Sequence, residues 1–452
     1  MKPSTQTSEE RAQINPGPRV YARSEHSISR SQVSENALKV LYRLKKAGFE
    51  AYLVGGCVRD LLLGREPKDF DVVTDARPDQ IKKVFRNCRL VGRRFRLAHV
   101  QFGRDIIEVA TFRGSVEENS EHRFLNEEGR LLRDNQYGNI EEDVWRRDFT
   151  VNSLYYNIKD FSVIDYVGGM EDHLSGTLRL IGDPETRFRE DPVRMLRAVR
   201  FAVKLGFNLH PDSEKPIAGL ADLLNNIPPA RLFDETLKLF LSGYALQTFE
   251  MLRHYDLFRE LFPLVEESLA EEEEGFPKLF LIKALENSDA RITDGKTVTA
   301  YFLFAAFLWN PVKAEAKRQI QHGVNETIAY QNASSEIINR QLKSTAFPKR
   351  ITLAMREVWT LQPRFSRREG NRPFRLLSHP RFRAAYDFLL LRIQAEGEDP
   401  ALGVWWTEFQ EVSELEQKKM IASLSRNPQR KQTKRRRTNK AKAVNRHPQD
   451  SI

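Results

Sequence analysis

The sequence predicts an α/β head with a mixed sheet, followed by an all-helical neck and body and a disordered basic tail. Short apolar runs alternate with segments of helical period from about Ser34 to Asn157, the pattern of strands interleaved with helices. After "DYVGGMEDHLSGTLRLIG" the helical period takes over and lasts to about Leu424. From Arg426 to Arg446 there are ten Lys or Arg, no acid and no apolar period. At 452 residues the chain is too long for one core, and the expected division is a disordered leader over 1–33, the head over 34–170, a helical neck over 171–245, a helical body over 246–424 and the tail over 425–452.

The elements of the head follow in order. "SENALKVLYRLKKAGF" carries apolar residues at helical spacing, with Ser34 placed to cap its start and Gly48 to stop it. "EAYLV" reads as a short buried strand, and "GGCVRDLLLG" as a tight glycine turn opening into a helix. "REPK" breaks that helix, "DFDVVT" is the next strand, and "ARPDQIKKVF" another helix. "RLVGRRFRLAHVQF" and "DIIEVATFR" read as two strands joined by a turn at Gly103–Arg104. Residues 114–142 are polar without a period, and a loop of that length is usually functional or mobile. Order resumes at "DVWRRDFTVNSLYYNI". The leader is rich in Ser, Gln, Glu and Arg and lacks the apolar stretch of a signal peptide.

Composition excludes several classes. No run of eighteen apolar residues exists, so no membrane-spanning segment is expected. Two cysteines, Cys57 and Cys88, make neither a disulfide framework nor a zinc site, which points to a reducing cytoplasm. The net charge of +10 lies wholly in the tail, since without residues 426–446 the chain has 62 basic and 62 acidic residues. A basic disordered tail suits a polyanion, nucleic acid above all, and Arg430, Lys431, Lys434, Arg435, Arg436 and Arg437 are its densest part.

Two features carry chemistry. Asp69 and Asp71 are two apart in a predicted strand, so their carboxylates share a face. Adjacent carboxylates repel unless a cation lies between them, and Mg²⁺ takes one or two protein carboxylates plus substrate phosphates. Gly55 and Gly56 stand between a strand and a helix, where backbone can approach a ligand and helix N–H groups are unpaired, and Arg59 adds a cation one turn in. A triphosphate on the turn and a metal on the acids make a site for nucleotidyl transfer.

These residues resemble a known family. "GGCVRDLLLGREPKDFDVVT" is similar to the signature of the class II nucleotidyltransferases, which comprise the bacterial poly(A) polymerases and the CCA-adding enzymes. "RRDFTVNSLYY" (146–156) resembles their second motif, "REDPVRMLRAVRFAVKLGF" (189–207) their base-recognition helix, and "ARLFDETLKLF" (230–240) the helix after it. "LVGRRFRLAHVQFGRDIIEVATFRG", residues 362–392 and "WWTEFQ" before a basic tail resemble the polymerase branch. The resemblance implies a nucleotidyltransferase head and addition of AMP from ATP to RNA 3′ ends, without a template and with two metal ions, Mg²⁺ or Mn²⁺. Asp69 and Asp71 would hold the metals, and Gly55, Gly56 and Arg59 the triphosphate. Asp148 would be the third essential residue, with Glu108 as its rival for completing the metal site. Arg147, Asp191, Arg194 and Arg197 would bind the nucleotide; Asp191 and Arg194 are suited to the adenine edge but do not by themselves select ATP over CTP.

Expected partners are RNA 3′ ends, ATP and RNA-degradation proteins, with the protein itself a monomer. The arginines and phenylalanines of 362–392 either contact RNA or fill a helical core. A CCA-adding tRNA nucleotidyltransferase is the alternative in the same class, and a non-catalytic RNA-binding protein the alternative outside it.

Overall fold

The computed structural model describes residues 17–92, 96–114, 136–270, 279–397 and 399–425. The basic tail residues 430–437 and most of the polar segment 114–142 lie outside these. Two compact units divide between Leu223 and Leu224.

The first unit is built on an eight-stranded mixed sheet in the order β1-β8-β7-β2-β3-β6-β5-β4. The strands are β1 (Arg19–Tyr21), β2 (Ala51–Val54), β3 (Asp71–Thr74), β4 (Cys88–Val91), β5 (Leu97–Phe102), β6 (Asp105–Thr111), β7 (Leu154–Asn157) and β8 (Val163–Asp165). All neighbours are antiparallel except β3 and β6, whose parallel register sets Asp71 beside Glu108. β5 and β6 join through the turn expected at Gly103–Arg104, where Gly103 has φ +63°.

Helix α1 (Glu35–Lys46) is capped by Ser34, whose hydroxyl accepts from the Ala37 N–H at 3.1 Å, and buries Ala37, Val40, Leu41 and Leu44 against the sheet. Helix α2 (Gly56–Leu62) leaves β2 through Gly55, and α3 is Pro78–Val84. Helix α4 (Ile140–Trp145) begins with a reciprocal cap between Asn139 and Glu142. Further on are α5 (Gly169–Ser175), α6 (Pro184–Glu190) and α7 (Val193–Leu205).

Three expectations need correction. The leader is folded from residue 19: Val20 and Tyr21 pair with β8, the Arg19 guanidinium lies 4.6 Å from the Tyr21 ring centroid, and Ile28 and Val33 join the core. Composition hid this because a sheet edge recruits even a short β segment. The stretch read as one strand over 89–102 is two, β4 and β5, paired with each other. The division near residue 223 falls inside the expected neck, so α7 belongs with the sheet unit. Its buried face, with Val193, Leu196 and Val199, packs there, and Phe201 meets Phe149 edge-on at 5.8 Å. Val203 on the same helix is only half-buried.

The second unit is helical, from Pro229–Phe240 to Glu414–Ser425. Its interior is a chain of aromatic contacts among Phe240, Phe258, Phe262, Phe304, Phe307 and Phe347, with centroids 4.8 to 6.5 Å apart. Among the described residues no helix is long and apolar enough to cross a membrane.

Candidate active site

The glycine turn and the acids meet where β2 and β3 lie side by side. Gly55 has φ +79° and ψ −136°, a conformation that disfavours any side chain. A Cβ there would lie 3.8 Å from Arg147 Nη1, 3.9 Å from the Asn152 carbonyl oxygen and 4.0 Å from Asp71 Oδ2. The turn is thus bounded by a cation on one side and a carboxylate on the other. Gly56 is the first residue of α2.

Asp71 is the first residue of β3, and Asp69 sits in the bend just before it; both are exposed. Phe70 between them packs on the core. Glu108 is in register with Asp71 on β6, and its Oε1 is 3.3 Å from His99 Nε2 on β5. Crowding by protein atoms, the Glu108 charge and the Asp69 charge together push the Asp71 carboxyl up to about 6, while Arg147 pulls the other way. Among the described residues no three His, Cys, Asp or Glu side chains close around a metal as a cage. The set is open and made of carboxylate oxygens, which fits a hard divalent cation completed by phosphate and water.

Asp148 is placed differently. Its Oδ2 accepts from Arg197 Nε at 2.8 Å and Nη2 at 2.5 Å, and its Oδ1 accepts from the Phe149 N–H at 2.8 Å and Asn152 Nδ2 at 3.3 Å. Burial opposes its charge, but Arg197 and these hydrogen bonds hold it below the usual carboxylate range. The parallel register therefore favours Glu108, not Asp148, as the acid beside Asp71. Arg197, expected on the nucleotide, forms a two-pronged pair with Asp148.

Arg59, expected on the triphosphate, is only 3% exposed. Its Nε and Nη2 donate to Asp60 Oδ1 at 2.9 and 2.6 Å, and its Nη1 to Asn152 Oδ1 at 2.6 Å. One turn into α2, it reaches Asn152 and the Phe201 ring, and its Nη2 lies 3.6 Å from where a Gly56 Cβ would be. Arg147 lies beside the same turn at Gly55. Asn152, which the sequence reading passed over, links Arg59 to Asp148; its position in "RRDFTVNSLYY" was the available signal.

Asp191 ends α6 and Pro192 caps α7; the Asp191 Oδ1 accepts from the Val193 N–H at 3.3 Å. Arg194 folds back, donating to the Arg187 carbonyl at 2.6 Å and to Glu190 Oε2 at 3.0 Å. Both bonds use Nη1. In the second unit Phe365 and Phe382 are buried and Phe374 packs against them, so the phenylalanines of 362–392 serve the core. Of the arginines there, Arg367, Arg381 and Arg383 pair with Glu326, Glu357 and Asp387, and Arg368 lies 5.2 Å over the Trp405 ring. Arg364, Arg372 and Arg375 are exposed and have no ion pair with a described residue.

Comparison with known proteins gives the family. Three family patterns match: "Poly A polymerase head domain" over residues 51–179, "Probable RNA and SrmB- binding site of polymerase A" over 206–269, and "Polymerase A arginine-rich C-terminus" over 322–442. The chain is 52% identical over 425 residues to poly(A) polymerase I of Salmonella typhi, covering 93% of this chain and 91% of that one. The chain belongs to the poly(A) polymerase family. A second poly(A) polymerase I, from Haemophilus influenzae, is 49% identical over 396 residues, 86% of this chain and 88% of its own. Among solved structures, the Bacillus stearothermophilus CCA-adding enzyme in complex with CTP shares the fold with a TM-score of 0.54 and 26% identity, over 86% of this chain and 82% of that chain. The poly(A) polymerase family and the CCA-adding enzymes thus have one architecture in common.

Proposed function

We propose that this protein adds AMP from ATP to RNA 3′ ends without a template, releasing pyrophosphate. The observation that carries the reading is the corner where Asp69, Asp71 and Glu108 lie beside the Gly55 turn, with Arg147 across it. Asp69, Asp71 and Glu108 would hold two divalent cations, Mg²⁺ or Mn²⁺, which when bound neutralise the triphosphate and lower the pKa of the RNA 3′ hydroxyl. The chain's own residues do the rest. The Gly55–Gly56 turn lets backbone approach the phosphates, and the first N–H groups of α2 face them. Arg147 faces the same space with a fixed positive charge. Asp148, held ionised by Arg197, would accept from ribose hydroxyls rather than bind metal. Asp191 and Arg194 at the start of α7 would meet the base edge.

RNA would contact the exposed Arg364, Arg372 and Arg375 and the tail residues Arg430, Lys431, Lys434, Arg435, Arg436 and Arg437, and the match to an RNA-binding family pattern over 206–269 supports contact there as well. A monomer working in the cytoplasm beside RNA-degradation proteins completes the reading. The test is incubation with each of the four nucleotides and a generic RNA. Long tails from ATP alone are expected; a short defined end on tRNA, built with CTP and ATP, would favour the CCA-adding activity. No incorporation by protein with intact acids would favour RNA binding alone.

A further inference from the structure

Asp143 and Tyr155 have no part in the chemistry above, yet both are buried and both hold Arg147. Asp143 lies on α4, four residues before Arg147, and is 5% exposed; Tyr155 lies on β7 and is fully buried. Asp143 Oδ2 accepts from Arg147 Nε at 3.0 Å, from Arg147 Nη2 at 2.8 Å and from the Tyr155 hydroxyl at 2.8 Å. The Tyr155 hydroxyl also accepts from Arg147 Nε at 2.9 Å, and the guanidinium carbon sits 5.2 Å from the Tyr155 ring centroid. Asp143 Oδ1 is itself fixed by the Arg113 N–H at 3.3 Å. One side of the guanidinium is therefore fully engaged.

The other side is not. Nη1 has no protein acceptor among the described residues and lies 3.8 Å from where a Gly55 Cβ would be, on the side of the turn facing Asp71 Oδ2. A guanidinium clamped on two nitrogens and open on the third is pre-organised, so little rotamer freedom remains to be lost when an anion arrives. Asp143 alone would leave the arginine free to swing about a single carboxylate; the tyrosine hydroxyl and ring define the plane. A buried Asp–Tyr pair serving one arginine is also costly to maintain unless its partner must be aimed.

The geometry points to Asp143 and Tyr155 as positioning residues that aim Arg147 Nη1 at the β- and γ-phosphates of the incoming nucleotide. This rests on the assignment of the glycine turn as the triphosphate site. It predicts a phosphate-specific effect: loss of the aim weakens ligands in proportion to the phosphates they carry and leaves the nucleoside part alone.

The experiment measures equilibrium binding of ATP, AMP and inorganic tripolyphosphate, with Mg²⁺, to the full-length protein and to Tyr155→Phe, Asp143→Asn and Arg147→Gln, with melting temperatures alongside. Tyr155→Phe keeps the ring packing and Asp143→Asn keeps the shape, so either one alone suffices if the other fails to fold. Arg147→Gln should weaken ATP and tripolyphosphate by about 10- to 100-fold, and Tyr155→Phe and Asp143→Asn by about 3- to 10-fold, with AMP changed less than about twofold. In turnover the two variants should raise KM for ATP more than they lower kcat. If the wild-type protein binds no tripolyphosphate, the site assignment itself is wrong. If Arg147→Gln weakens it while Tyr155→Phe and Asp143→Asn only lower the melting temperature, the site stands and the positioning inference is overturned. Equal weakening of AMP and ATP would overturn it too.

Discussion

Asp71 shows how the candidate site trades stability for chemistry. Its carboxyl is raised from the ordinary 3.8 to about 6 by crowding and by the Glu108 and Asp69 charges. A folded-state pKa above the unfolded one gives stability that is full below about pH 4 and is lost as the pH rises through 6. At pH 8 the charged Asp71 is therefore a net cost. Asp71→Asn should abolish AMP incorporation and raise the melting temperature at pH 8 by roughly 1–3 °C, with the gain vanishing near pH 4, by metal-free calorimetry at both values. An equal gain at both would show that its charge is not what strains the site. Asp148 has the opposite sign: its lowered pKa contributes stability at neutral pH that is lost on acidification. Removing its partner leaves a mostly buried charge unpaired. Arg197→Ala should cost about 2–3 kcal/mol, less than a fully buried pair because Arg197 is 32% exposed, and Asp148→Asn in the same chain should recover part of it. Denaturation of the two single variants and the double variant measures this; strict additivity would mean the pair is not coupled.

Among the elements, the turn between β2 and α2 has the least freedom. Gly55 holds a backbone conformation that L residues rarely adopt, and the space a Cβ would enter lies between Arg147, Asp71 and the Asn152 carbonyl. Gly55→Ala should cost about 1–3 kcal/mol of stability from backbone strain and reduce ATP affinity as well, because the methyl group occupies the phosphate approach. Gly64, past the end of α2 with φ +68°, meets nothing within 4 Å. Alanine there should cost stability from strain while leaving ATP affinity unchanged, so comparing the two by melting and nucleotide binding separates strain from site blockage. The glycine motif and the acid pair were legible in the sequence because each is local, a few residues read in order. Asp143 and Tyr155 were not, since nothing in "DVWRRDFTVNSLYY" says that an aspartate on a helix and a tyrosine on a strand meet at one guanidinium.

For the whole molecule, charge is organised by region. The chain without residues 426–446 is balanced, 62 basic against 62 acidic residues, so the tail carries the full excess. Lys and Arg bound along single-stranded RNA release counterions, steepening the fall of log K with log salt by about 0.7 per phosphate contact. Deleting residues 426–452 should weaken RNA binding at low salt and flatten that slope by roughly three, with ATP binding unchanged and chemistry retained at saturating RNA. RNA affinity across a salt series, for full-length and truncated protein, checks this; equal slopes would mean that the tail does not touch RNA.

Residue identity and spacing alone determined the α/β character of the head, the glycine turn, the acid pair and the family, because these follow from short-range period and motif. Pairing across the sheet was decided only by the tertiary structure. The parallel register of β3 and β6 put Glu108 beside Asp71, and the placing of α7 in the sheet unit brought Arg197 to Asp148. The same folding buried Arg59 against Asn152 and left Arg147 at the turn. Two arginines with equal claims in sequence differ because a guanidinium serves whatever acceptor its element faces, and which way an element faces is fixed by contacts far away along the chain.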